Sequence, residues 1–139
     1  MGFSHHWTVL KRPTHKGWLL LGEGLQKIKD WVASQGASLE LVVLRDVITY
    51  SLDGPGSELE ESFRIPREPG TVHFKLRGRK FSWAVGASLI LADYHFRDRI
   101  TITSELSKLS DCWTGAERLY TKLYGRSPGD AYLTVTRGD

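Results

Sequence analysis

Apolar positions change period several times along the chain, and each change marks a predicted element. Leu25, Ile28, Trp31 and Val32 recur at helical spacing and Gly36 supplies a stop, which predicts a helix over about 20–35. Before it, residues 4–11 mix aromatic, β-branched and polar side chains up to Pro13, the pattern of a first strand that ends at the proline. After it, residues 46–52 alternate, with Ile48, Tyr50 and Leu52 opposed to Val47, Thr49 and Ser51, as a half-buried strand does. The apolar run 39–44 either extends that strand or forms one of its own. The turn signal Asp53-Gly54-Pro55-Gly56 then leads to 61–65, with Phe63 and Ile65 on one face. A second turn at Pro69-Gly70 precedes 72–76, where Val72, Phe74 and Leu76 oppose His73 and Lys75, so three antiparallel strands are expected here.

From 79 to about 96 the residues are apolar on most sides, which predicts a buried central helix. Residues 100–103 alternate as a strand. Residues 113–123 form an amphipathic helix, with Ala116, Leu119, Tyr120 and Leu123 on one stripe and Gly125 at its end. Residues 131–136 are a candidate last strand. This order predicts an α+β fold: a largely antiparallel sheet with helices on one face and a C-terminal helix. A ferredoxin-like split βαβ core is the first expectation, other α+β arrangements the alternative.

Composition narrows the class further. A chain of 139 residues with 40% hydrophobic and 25% charged residues fits a single domain, with an α+β core over 1–104 and a helix and tail over 105–139. The lone Cys112 forms no internal disulfide, and no Cys/His set has zinc-finger spacing, so neither metal nor cofactor is expected. The apolar runs are too short to span a membrane, and the first residues lack the charged-then-apolar pattern of a signal sequence. A cytoplasmic location in a bacterial host is the expectation. Asparagine is absent, which removes N-glycosylation sites and a common adenine contact.

The net charge of +3 conceals a pattern, because residues 40–63 carry −5 and residues 64–99 carry +5. Within the basic block, Arg77-Gly78-Arg79-Lys80 lies where a strand hands over to the buried helix. Cations at a helix N-terminus oppose its partial positive charge unless an anion joins them. Arg77, Arg79 and Lys80 are therefore candidates to hold a phosphate or carboxylate, with Gly78 allowing close approach. The alternative pairs them with Glu58, Glu60 and Glu61 across neighbouring strands. A sequence pI near 9.1 with no continuous Lys/Arg run argues against nucleic-acid binding.

Aromatic and histidine residues add further candidates. Among five tryptophans, Trp7 and Trp83 lie near the histidine and basic motifs and are the candidates to stack on a ring, with core packing as the alternative for each. His6-Trp7-Thr8 resembles one of the paired His-x-Ser/Thr triplets of 2H phosphodiesterases, whereas the later strand histidine reads His73-Phe74-Lys75. Adjacent histidines on a strand face opposite sides, so at most one of His5 and His6 can join a given cluster.

Taken in order, Gly2-Phe3-Ser4-His5-His6-Trp7, Asp53-Gly54, Glu61-Ser62-Phe63, Phe74 with Arg79-Lys80, and His95-Phe96-Arg97-Asp98 resemble a family of small phage, prophage and bacterial proteins. Members of that family open G-Y-S-H-Y-W and carry F-N-G, H-E-T-F and F-C-K-T-A-R-K. The similarity spans about residues 1–104, and departs from the family at Asp53, Glu60 and Lys75. The resemblance implies a phage-type accessory protein and no particular reaction.

Together these features lead to the expectation of a non-enzymatic protein that sequesters an anionic, nucleotide-like small molecule, such as a phage sponge for a host defence signal. Arg77, Arg79 and Lys80 would hold phosphate, Trp7 or Trp83 would stack on a ring, and His6, Asp53 or Glu61 would hydrogen-bond the ligand. A homo-oligomer is expected, because small domains enclose ligands at subunit interfaces. The alternatives are a phosphodiesterase or nuclease using His6 or His73 with Glu61 as acid and base, and a protein-interaction inhibitor or structural phage component.

Overall fold

A computed structural model describes residues 3–53, 62–76, 81–107, 109–128 and 135–136. Strand β1 (Phe3–Val9) buries His5, Trp7 and Val9 and turns the residues between them outward. Helix α1 (His15–Ser34) follows, capped by the Thr14 hydroxyl, which accepts from the Gly17 amide at 3.0 Å. Gly17 is needed here: a side chain would put its Cβ 2.8 Å from the His95 carbonyl oxygen. The helix buries Trp18, Leu21, Leu25, Ile28 and Val32 along one face.

Three strands come next: β2 (Ser38–Val43), β3 (Val47–Asp53) and β4 (Phe63–Pro66). They form an antiparallel sheet in the order β2-β3-β4. Strand β5 (Gly70–Leu76) leaves that sheet and pairs antiparallel with β1. Helix α2 (Ser82–Phe96) then leads through a 3-10 turn at Arg97–Arg99 to β6 (Ile100–Ser104), which lies antiparallel on the other side of β1. Helix α3 (Asp111–Tyr124) ends on Gly125 at φ 71°, a left-handed cap that glycine adopts without strain. The two-residue β7 (Val135–Thr136) pairs parallel with β6.

Sheet β5-β1-β6-β7 therefore contains one split βαβ unit, in which α2 joins the mutually parallel β5 and β6 and β1 runs between them. The α+β class matches the sequence reading. Strand β2 pairs in the second sheet rather than beside β5. Helix α2 is buried almost all round, with α1 and α3 packed against it. The two sheets meet through aromatic rings: Phe63 stacks on Tyr50 at 4.5 Å and lies 5.2 Å from Trp7, and the Tyr50 hydroxyl bonds Ser88 of α2 at 3.0 Å. None of the helices among the described residues is long and apolar enough to cross a membrane.

Two sequence expectations change in detail. The run 46–76 does not make one three-stranded sheet: β3 and β4 pair as expected, but β5 takes β1 as its partner. Its apolar face, Val72, Phe74 and Leu76, continues the buried face of β1. The run 39–44 is a strand in its own right, and α1 begins five residues before its predicted start.

Candidate functional site

The predicted ligand residues fall into three groups. Arg77, Arg79, Lys80 and Glu61 lie outside the described residues, as do Glu58 and Glu60, and Asp53 is described only as the last residue of β3. Trp7 is core, 1% exposed, with its indole N–H donating to the Arg64 carbonyl at 3.2 Å. It offers no open face for stacking, because Phe63 and Phe74 occupy its surroundings. Trp83 and His6 keep partial exposure. The Trp83 indole lies against Gly115, where any side chain would collide with it.

The Cys–His pair that a catalytic reading would seize on is structural. His5 is fully buried, its Nδ1 2.9 Å from the Ser104 hydroxyl and its Nε2 3.7 Å from Cys112 Sγ. Ser104 Oγ already accepts from the Trp113 indole at 3.1 Å and from the Leu106 amide at 3.0 Å. Its one O–H therefore goes to His5 Nδ1, which leaves the imidazole proton on Nε2, facing the sulfur. Desolvation, helped by the neighbouring His6, pushes the His5 pKa down to about 3, and burial pushes the Cys112 thiol up to about 12. A nucleophilic cysteine needs its thiolate, and this environment suppresses it.

A basic cleft opens beside the start of α1. It encloses about 540 Å³, within the range of small-molecule sites. Its cations are Arg12, Arg45 and Arg67, with His15 from the first turn of α1. Leu19, Val43 and Leu44 line the same cleft and are about half exposed, at 50%, 42% and 56%. Arg12 is paired with Asp46 at 3.6 Å and with Glu68. Arg67 is different. Its residue is only 9% exposed, its guanidinium lies 5.6 Å from the Trp18 ring, and NH1 donates to the Arg45 carbonyl at 3.3 Å. Its Nε is buried without a hydrogen-bond partner, and no carboxylate among the described residues pairs with it.

Comparison with known protein families, curated proteins and solved structures finds no match. The chemistry of the cleft must be read from its own residues. A buried guanidinium without a counter-charge is costly, whereas an anion bound there supplies both the charge and the missing acceptor. The Trp18 ring lies under the guanidinium, with its own N–H held by the Leu44 carbonyl at 2.9 Å. The first turn of α1 contains no acidic residue, so its N-terminal amides add to the positive field.

Sequence reading applied this electrostatic logic to the start of α2 and overlooked the start of α1. The signal was present: Arg12-Pro13-Thr14-His15-Lys16 places cations around a capping threonine. Arg67 had no such signal, because only its tertiary placement over Trp18 of α1 buries it. Among the described residues no three His, Cys, Asp or Glu side chains form a group able to hold a metal.

Proposed function

We propose that this protein binds an anionic, nucleotide-like small molecule in the cleft around Arg67 and holds it unchanged. The observation that carries this reading is a buried guanidinium with an unsatisfied Nε and no carboxylate partner among the described residues. Arg67 and Arg45 suit the phosphate, since a guanidinium fork matches two phosphate oxygens at once. Leu19, Val43 and Leu44 suit an apolar ring or chain attached to it. Arginines hold their proton throughout the physiological range, so they retain an anion rather than move protons for it. Such a protein works by mass action, lowering the free concentration of its ligand, which is the role of a sponge. Arg77, Arg79 and Lys80 remain a second candidate phosphate site in this reading.

Calorimetric titration with ADP, ADP-ribose and a panel of cyclic dinucleotides tests the proposal. At least one is expected to bind and to be recovered intact, with Arg67→Met weakening it tenfold or more and the exposed Arg45→Gln weakening it less. Folding of each variant is checked by circular dichroism. No binding of any member to the folded wild type overturns the proposal, as does affinity unchanged in both variants.

A further inference from the structure

The outward face of the sheet carries a second arrangement. Strand alternation sends Ser4, His6 and Thr8 of β1 to the face opposite the core, and register places each against a polar residue of β5. Ser4 faces Lys75, His6 faces His73 and Thr8 faces Thr71. The two imidazole rings are 4.3 Å apart at an interplanar angle of 69°, and the two threonine hydroxyls are 2.9 Å apart. On the other side β6 adds Thr103 beside His6 and Thr101 beside Thr8. The outcome is a polar grid three strands wide with a histidine pair at its centre.

We infer that this face is an acid–base site for phosphodiesters that carry a neighbouring ribose 2′-hydroxyl, the linkage of RNA. Histidine is the side chain whose ordinary pKa lies nearest neutrality, so one imidazole of a pair accepts a proton while the other donates one. The neutral imidazole takes the proton of the 2′-hydroxyl, and O2′ forms a bond to phosphorus. The P–O5′ bond breaks, and the protonated imidazole gives its proton to O5′. The products are a 2′,3′-cyclic phosphate and a free 5′-hydroxyl, with no water, metal or redox partner consumed. The pair then exchanges one proton with solvent to reset. Lys75 on one side of the pair and the bonded Thr8–Thr71 hydroxyls on the other flank the place a phosphate would occupy; the ammonium, and the one hydroxyl proton not spent between the threonines, donate to its non-bridging oxygens. The face is exposed along β5 and partly exposed along β1 and β6, which suits a segment of polymer laid across the strands. A mild overall charge limits affinity for nucleic acid without bearing on this chemistry.

The test uses the full chain and a 5′-labelled single-stranded oligoribonucleotide, with the all-deoxy strand of the same sequence alongside. Cleavage of the ribo strand only is expected, leaving a cyclic phosphate and a 5′-hydroxyl. His6→Gln and His73→Gln are each expected to slow it at least a hundredfold, and Thr8→Val severalfold, all with unchanged circular dichroism. No cleavage by the folded wild type overturns the inference. So does cleavage that persists in both histidine variants, or that leaves a 5′-phosphate.

Discussion

The two faces of β1 hold adjacent histidines in opposite circumstances, His5 sealed between Phe3, Trp113, Ser104 and Cys112, and His6 half-exposed beside His73. The inner histidine has every polar atom committed: one ring nitrogen accepts a hydroxyl proton, and the other faces a sulfur. Its neutrality is enforced by burial, so it is a packing residue with two polar ends. The outer histidine faces a second histidine, on a side of the sheet that also carries threonines and Lys75 and is turned away from the core. One peptide step changes the chemistry because successive side chains of a strand point to opposite faces. Residue type alone therefore says little about the role of a histidine, and the parity of its position on the strand says much.

The largest expected break in this contrast is on the inner face. Trp7→Ala removes a ring that is 1% exposed and packed on Phe63 and Phe74, which should cost about 3–5 kcal/mol in chemical denaturation, typical of large aromatic deletions. A loss below about 1 kcal/mol would show that the two sheets do not pack through this ring.

The next effect is in pH. Folding lowers the His5 pKa to about 3, so between there and 6.5 the unfolded chain binds more protons than the folded one. The stability this represents is present in full above pH 6.5 and is lost as pH falls towards 3, at up to about 1.4 kcal/mol per pH unit. Asp93 acts in the opposite sense. Desolvation raises it to about 6, so its contribution is present below its ordinary 3.8 and lost as pH rises through 6; being only half-buried, it offsets His5 in part. Urea denaturation is expected to show the wild type losing about 2 kcal/mol from pH 7 to pH 4. His5→Phe, which cannot titrate, should give a flatter profile whatever its absolute stability. Parallel profiles would mean that His5 takes up its proton in the folded state at an ordinary pH.

Much of this contrast was readable in advance. Alternation at Val72, Phe74 and Leu76 against His73 and Lys75 identified both faces of β5, and the helical stripe of Leu25, Ile28 and Val32 identified the buried side of α1. Gly36 and Gly125, both at positive φ, closed their helices where expected. The start of α1 was not legible, since its first turns carry Gly17, Gly22 and Gly24, each with low helix propensity and two of them sitting where the helix meets close neighbours. The strand partners were not legible either: His6 and His73 are 67 positions apart in sequence, and nothing local says that β5 pairs with β1 rather than with β4. The same holds for Arg67, whose burial over Trp18 is a property of the assembled chain.

The smallest expected effect sharpens the comparison from the other side. His6→Gln and His73→Gln replace outward-facing rings with polar side chains of similar reach, and no core contact of the sheet depends on them. Each should change stability by no more than about 0.5 kcal/mol, the usual scale for surface substitutions, in the same urea experiment at pH 7. The double variant carries more information than either single one. The rings touch, so if their contact stabilises the strand pair the two losses will not add, and the coupling energy measures that contact directly. A coupling near zero means the pair is held together by the β1–β5 register alone, so that parting the two rings would cost the fold little. A coupling above about 1 kcal/mol would make the outer pair a structural element like His5, and the distinction between the two faces of β1 would then be one of exposure rather than of purpose.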